Sequence, residues 1–186
     1  MIGYAFCGSF CTHEAALSVL RELAEGGREV LPILSERSYT TDTRFGKAKD
    51  LIRRAEEICG RAALHTIEEA EPLGPAVPLD ALIIAPCTGN TLSKIANGIT
   101  DTSVTMAAKA HLRCDRPTLI ALASNDALSQ NLQNISKIMT RKSVFFVPML
   151  QDSPKSKPHS LVADFSLIIP ALAAMEEGRQ IRPIFK

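Results

Sequence analysis

The chain has 186 residues, of which 46% are hydrophobic and 22% are charged, and its formal net charge at pH 7 is +1. A chain of this size and composition buries a sizeable core, so we predict that residues 1–186 form one domain. No basic excess points to nucleic acid or anionic lipid, and no apolar run approaches the roughly 18 residues of a membrane span. We therefore expect neither a nucleic-acid nor a membrane partner.

Cysteine usage and the first residues bear on the compartment and on metals. Five cysteines at irregular spacing favour reduced thiols over a disulfide framework. Cys7, Cys11 and His13 have no fourth ligand at a supporting spacing, so no metal site is predicted. Residues 1–10 lack the charged start and cleavage site of a secretory signal. These features predict a cytoplasmic location.

The N-terminal part begins with a predicted strand at residues 2–6 and a predicted helix at residues 12–25. Gly8 and Ser9 fall at the turn between them. In one interpretation Gly8 lets the backbone approach a phosphate, Ser9 hydrogen-bonds it, and the helix N-terminus adds favourable potential. An ordinary tight turn is the alternative.

The segments up to the middle of the chain are less regular. Residues 29–34 predict a second strand in which Pro32 implies a kink or an edge position. Helical spacing follows at residues 44–59, and a short third strand is predicted at residues 62–67. A Pro-rich loop at residues 68–79 precedes the most informative stretch.

That stretch begins with residues 81–85, an apolar run bounded by Pro86 that is typical of a parallel strand buried on both faces. Residues 86–91 then place small, hydroxylated and amide side chains where the strand passes into a helix. Backbone N–H groups and side-chain donors converge at such a turn, which suits an anion or a polar ring edge.

The remaining segments continue the alternation. A strand at residues 118–123, a helix to about residue 140 and a strand at residues 144–148 predict parallel βαβ units. Residues 150–160 are predicted to form a mobile flap, with a plain surface loop as the alternative. Residues 161–177 predict a helix interrupted at Pro170.

Polar side chains follow three of these strands, at Gly8-Ser9, at residues 87–91 and at residues 124–126. An open parallel sheet binds ligands at the carboxyl ends of its strands, so this rim is the predicted site. A nicotinamide cofactor is the rival, but the first turn has no G-x-G-x-x-G and Glu36 is the only supporting acid.

Residues 85–91, Lys94, residues 95–99 and Asp101 together resemble the signature block of the flavoprotein family that contains the flavin-containing cysteine decarboxylases and the flavin prenyltransferases. Within that family, residues 97–102, 125–128 and 160–165 resemble the dipicolinate synthase B subunits. The resemblance implies a three-layer α/β fold, a flavodoxin-like (Rossmann-like) parallel sheet of about six strands with helices on both faces. It also implies trimers or multiples of trimers, with the cofactor at a subunit junction.

The same resemblance implies FMN as the cofactor, a small dicarboxylate as substrate and, as partner, a dehydrogenase-like A subunit. The implied reaction is oxidation of a dihydrodipicolinate-type ring to dipicolinate in the mother cell of a spore-forming bacterium. The implied FMN contacts are Gly8, Ser9, Ser35, Cys87, Thr88, Asn90, Thr91, Thr105 and Ser124. His13 is the candidate base, with a capping role as its alternative, and Asn90 is the second candidate catalytic residue.

A dicarboxylate calls for cations, and those available are Arg44, Lys47, Lys94, Lys109, Arg113 and Arg141. The alternative for each of them is a place on a solvated helix face. The chain departs from the cysteine decarboxylases, since its flap lacks a cysteine and His65 is separated from the central strand by the Pro-rich loop. Cysteine-type oxidative decarboxylation is therefore not expected. A non-catalytic chain that activates the A subunit is one alternative, and flavin-dependent decarboxylation or flavin prenyl transfer is another.

Overall fold

The computed structural model describes all 186 residues, which form a seven-stranded sheet between two layers of helices. The strands are β1 (Ile2–Phe6), β2 (Val30–Leu34), β3 (Ala81–Thr88), β4 (Thr118–Ser124), β5 (Val144–Phe146), β6 (Met149–Leu150) and β7 (Leu161–Ala163). Their order is β2-β1-β3-β4-β7-β6, and β5 pairs with the first half of β4. Strands β1 to β5 are parallel, whereas β6 and β7 form an antiparallel hairpin.

The helices are α1 (His13–Glu25), α2 (Glu36–Thr40), α3 (Ala48–Cys59), α4 (Ile67–Ala70), α5 (Gly89–Asn97), α6 (Ser103–Leu112), α7 (Leu132–Met139) and α8 (Ile168–Glu176). Helices α1, α3 and α8 pack on one face of the sheet, and α4 to α7 pack on the other. The central strand β3 alternates between the two cores: Ile83 belongs to the first, and Leu82 and Ile84 to the second. This three-layer arrangement confirms the predicted fold class. None of the helices combines the length and apolarity that crossing a membrane requires.

The edge prediction for the second strand is confirmed, because β2 is the terminal strand of the sheet, where Pro32 is tolerated. The predicted third strand at residues 62–67 is wrong. That segment makes only an isolated bridge between Leu64 and Ile33, because it turns directly into the Thr66 cap of α4.

The C-terminal segment also differs from the sequence prediction. Residues 161–163 form β7, which pairs with the end of β4 and adds a strand that the sequence did not reveal. Pro170 then lies in the first turn of α8 and does not interrupt it. A first-turn residue has no intrahelical acceptor for its N–H, so proline costs nothing there.

Strand β3 is longer than predicted and continues through Pro86 to Thr88. Its register with β4 shifts between Ile84 and Cys87, which accommodates the missing N–H of Pro86. The Pro86 carbonyl accepts a hydrogen bond from the Cys7 N–H at 3.2 Å. The ends of β1 and β3 are thereby held side by side.

Candidate functional site

The carboxyl ends of β1, β3 and β4 open into a cleft of about 760 Å³. Its walls come from residues 8–12, residues 88–90, residues 123–126 and the loop between β6 and β7, here called the 151–160 loop. Phe45 closes one side. The volume lies in the range of natural ligand sites. The three polar strand ends singled out in the sequence therefore meet at one cleft.

The turn after β1 presents donors that have no partner in the chain. The Ser9 N–H donates to the Cys7 carbonyl at 2.9 Å, and the Thr12 hydroxyl donates to the Ser9 carbonyl at 2.8 Å. The Gly8 N–H has no acceptor in the chain, and the Ser9 hydroxyl has only the Cys11 sulfur at 4.0 Å. The turn is thus fixed while two donors stay available to a ligand.

The turn after β3 divides the predicted flavin contacts into two sets. Thr88 caps α5: its Oγ1 accepts from the Thr91 N–H at 3.2 Å, and both Thr88 and Asn90 line the cleft. Cys87 is fully buried, and the Thr91 hydroxyl points at the Cys7 sulfur, 3.3 Å away. The exposed Asn90 amide makes no hydrogen bond within the chain. Cys87 and Thr91 therefore support the turn from below, while Thr88 and Asn90 face the cleft.

A hydrogen-bonded cluster around Asp126 forms the wall next to α5. The Asp126 carboxylate accepts from the Ser124 hydroxyl at 2.5 Å and from the Asn131 amide, whose nitrogen is 2.9 Å from each carboxylate oxygen. The Asn131 oxygen accepts from the Asn134 amide at 2.8 Å. The Ser124 bond, followed by the Asn131 bonds, holds the pKa of Asp126 below its usual range.

Gly89 is the residue that lets α5 approach this cluster. A Cβ added to Gly89 would lie 2.4 Å from the Ser124 oxygen, 2.6 Å from the Asn131 amide nitrogen and 2.9 Å from an Asp126 oxygen. The Asp126 carboxylate consequently lies at the N-terminal end of α5, where the helix dipole favours negative charge. Sequence reasoning missed Asn131, although its spacing of three from Asn134 on one helical face was a visible signal.

The 151–160 loop contributes the only cation that lines the cleft. Lys157 pairs with Asp152 at 2.8 Å, and this bond lowers the pKa of Asp152. Leu128 donates its N–H to the His159 carbonyl at 2.9 Å, which ties the loop to the segment after β4. The predicted mobility of this loop stays a prediction.

Besides Cys87 and Thr91, three more predicted site residues lie outside the cleft. The His13 ring packs against Phe6 and Phe10, and its Nε2 lies 2.8 Å from the Cys7 carbonyl, so the ring fixes the turn after β1. Ser35 is buried and caps α2, and Thr105 is buried in the cap of α6. The polar groups of all three are already used in local structure. Their roles towards FMN or the proton stay predictions that the cleft geometry does not favour.

Burial lowers the pKa of both His13 and His111, and His111 is fully buried with no partner for its Nδ1. Below the ordinary histidine value of about 6.5 the unfolded chain binds more protons, so the free energy of unfolding falls as pH falls. We expect each histidine to contribute at most about 1.4 kcal/mol per pH unit to the slope of the free energy of unfolding against pH. Urea unfolding between pH 7.5 and 5 measures it.

The matched variants are His111→Gln and His159→Gln, because His159 is exposed. His111→Gln is expected to flatten the pH dependence, and His159→Gln to leave it unchanged. Equal slopes in the wild type and His111→Gln would show that His111 is not held neutral by burial.

The profile of the Flavoprotein family matches residues 2–180. The chain belongs to the flavoprotein family. Among curated members, the B subunit of dipicolinate synthase of Bacillus subtilis (strain 168) is 42% identical over 183 residues, which cover 98% of this flavoprotein chain and 92% of that relative. The family resemblance inferred from residues 85–101 is therefore confirmed.

Two solved structures have folds similar to that of this flavoprotein. The crystal structure of the B subunit of dipicolinate synthase from Bacillus halodurans C superposes with a TM-score of 0.91 and 38% identity, covering 100% of this chain and 95% of that chain. A dodecameric FMN-dependent UbiX-like decarboxylase from Escherichia coli O157:H7 superposes with a TM-score of 0.67 and 18% identity, covering 97% and 95%. At that identity the second likeness concerns the fold alone.

Proposed function

We propose that this chain is the FMN-binding B subunit of a dipicolinate synthase and that FMN occupies the cleft at the ends of β1, β3 and β4. The observation that carries the proposal is the convergence of free donors on this cleft in a chain 42% identical to a dipicolinate synthase B subunit. Those donors are the Gly8 N–H, the Ser9 hydroxyl and the Asn90 amide.

The distribution of charge decides which end of the cleft suits the phosphate of FMN. The Asp126 carboxylate, whose pKa is lowered, carries negative charge on the wall next to α5, whereas the charge of Asp152 is compensated by its ion pair with Lys157 at 2.8 Å. The turn at Gly8 and Ser9 offers neutral donors ahead of α1, and none of the cleft residues in this turn is acidic. The phosphate therefore belongs at the Gly8-Ser9 turn.

The rest of the cleft suits a planar ring. Phe10, Phe45, Ala123 and Val162 contribute apolar surface, and Thr88 and Asn90 contribute polar groups at the edge. When bound, FMN supplies a two-electron acceptor, which is what removal of two hydrogens from a dihydrodipicolinate-type ring requires. Asn90 would hold the ring edge, and Gly8 and Ser9 would fix the phosphate.

The chain itself offers a poor base for the proton that must leave the substrate. Asp126 is stabilised as a carboxylate by Ser124 and Asn131, and its lowered pKa makes it a weak acceptor. His13 has its Nε2 at the Cys7 carbonyl and does not line the cleft. We therefore propose that the dehydrogenase-like A subunit supplies the base, together with part of the site for the small dicarboxylate.

We further propose that the chain forms homo-oligomers, as trimers or multiples of trimers, in the cytoplasm of the mother cell during sporulation. The dodecameric state of the decarboxylase with the same fold supports an oligomer. Sedimentation of the purified chain measures its mass directly, and a monomer at micromolar concentration would contradict this part of the proposal.

Turnover with purified proteins tests the function. The isolated A subunit is expected to produce dipicolinate slowly, and added wild-type chain with FMN is expected to accelerate it. Asn90→Ala is expected to lower the rate about tenfold or more at limiting FMN, because the loss of one or two hydrogen bonds to a ligand costs about 1–3 kcal/mol. Asn97→Ala is the matched control, since Asn97 lies on the same helix outside the cleft.

The second candidate function is that of an activating partner chain without chemistry of its own. The observation that favours it is the lack of a free base in the cleft. In that case the rate would depend on this chain but would be the same with Asn90→Ala and without FMN. The two results separate the candidates.

A further inference from the structure

A second cavity, of about 300 Å³, lies at the C-terminal ends of α5 and α6 and shares no lining residue with the cleft. Ile95 and Leu112 form an apolar wall, and Thr100 adds a hydroxyl that makes no hydrogen bond within the chain. The size matches the lower end of natural ligand sites, which suits a molecule of one ring. Thr105, predicted from the sequence to contact FMN, borders this cavity and not the cleft.

The charge at this cavity has one sign. Lys109, Arg113 and Arg141 line it, no acidic residue does, and none of the three cations forms an ion pair. The neighbouring acid Asp101 is paired with Lys94 at 2.9 Å. Of the six cations that the sequence offered as partners for a dicarboxylate, three therefore line this cavity.

The C-terminal ends of α5 and α6 repel an anion at this cavity, but this repulsion is smaller than the attraction of the three cations. A helix C-terminus carries about half a negative charge, confined to its last turn, so α5 and α6 together offset about one of the three positive charges. The carbonyls at the end of α5 are also capped, since the Ile99 N–H donates to the Lys94 carbonyl at 2.9 Å. About two positive charges remain to attract a ligand.

We infer that this cavity binds a small planar dicarboxylate and is a ligand site separate from the FMN cleft. The apolar wall accepts a ring, two arginines offer bidentate pairing to two carboxylates, and Lys109 adds a third donor. The residual charge of about two matches a dianion. The preference for a planar diacid comes from the cavity itself, whereas the choice of pyridine-2,6-dicarboxylate as the probe rests on the proposed function.

Titration calorimetry of the full chain saturated with FMN tests this inference with pyridine-2,6-dicarboxylate, benzoate and inorganic phosphate. One diacid is expected to bind per chain, more tightly than benzoate or phosphate. Arg113→Gln and Arg141→Gln are each expected to raise the Kd of the diacid about tenfold. Lys142→Gln is the matched control, because Lys142 is an exposed neighbour of Arg141 that does not line the cavity, and a change below about twofold is expected.

Three results would overturn the inference. The diacid could fail to bind, it could bind with a Kd that the arginine variants leave unchanged, or phosphate could bind more tightly than the diacid. Repeating the titration with Asn90→Ala locates the binding, since a loss in that variant alone would place the diacid in the cleft. FMN affinity measured in the same samples reports separately on the proposed function.

Discussion

Ser9→Asp is expected to weaken FMN binding at least a hundredfold and to leave the fold unchanged. Ser9 is half-buried, and its hydroxyl makes only the weak 4.0 Å contact with the Cys11 sulfur. The substitution is therefore expected to change the free energy of unfolding little. A carboxylate beside a bound phosphate costs about 4 kcal/mol for each pair of unit charges 4 Å apart at an effective dielectric constant of 20. A hundredfold change requires only about 2.7 kcal/mol.

Fluorescence titration with FMN and with riboflavin measures this effect. Riboflavin lacks the phosphate, so its affinity is expected to change less than about threefold, and Ser9→Asn controls for side-chain size without charge. If riboflavin and FMN lose affinity equally, the Gly8-Ser9 turn does not hold the phosphate. That result would move the phosphate elsewhere in the cleft.

Gly89→Ala is expected to destabilise the protein by about 1–3 kcal/mol and to abolish measurable FMN binding. Alanine is a better helix former than glycine by about 1 kcal/mol, so an open site would be stabilised by this change. At Gly89 the new Cβ would lie within 3.0 Å of three polar atoms that are hydrogen-bonded to one another. The cost of this overpacking exceeds the gain in helix propensity. The Asp126 cluster would have to move away from α5.

Thermal denaturation and FMN titration of the same samples measure both effects. Ser93→Ala is the control, because Ser93 lies on the same helix and does not line the cleft. A Gly89→Ala protein as stable as wild type, with normal FMN affinity, would show that the contact between α5 and the Asp126 cluster is looser than the structure indicates.

Local patterns predicted the centre of the fold well. The apolar run at residues 81–85 followed by hydroxylated residues identified β3 and the turn into α5. A strand buried on both faces requires a continuous apolar run, and a helix N-cap favours a hydroxylated residue, so both are visible in the local sequence. The donors at Gly8, Ser9 and Asn90 were found for the same reason. Each lies next to a strand end that the pattern locates.

Features that depend on distant parts of the chain were missed. The strand at residues 161–163 exists because β4 offers it an edge, and nothing within the segment distinguishes it from the start of α8. Asn131 was missed for a different reason: its contact with Asp126 spans only five residues along the chain, but the sequence does not show that the segment between β4 and α7 brings the two side chains together. The family resemblance alone suggested Ser35 and Thr105 as FMN contacts, and their hydrogen bonds in the N-cap of α2 and in the capping box of α6 could not be foreseen from it; their role towards FMN stays a prediction.

A crystal structure of the chain grown with FMN would show directly whether the cleft holds the cofactor. One FMN is expected in the cleft of each chain, with its phosphate within hydrogen-bonding distance of the Gly8 N–H and the Ser9 hydroxyl and its ring beside Thr88 and Asn90. A structure at saturating FMN that shows the flavin outside this cleft, or its phosphate beside Asp126, would contradict it.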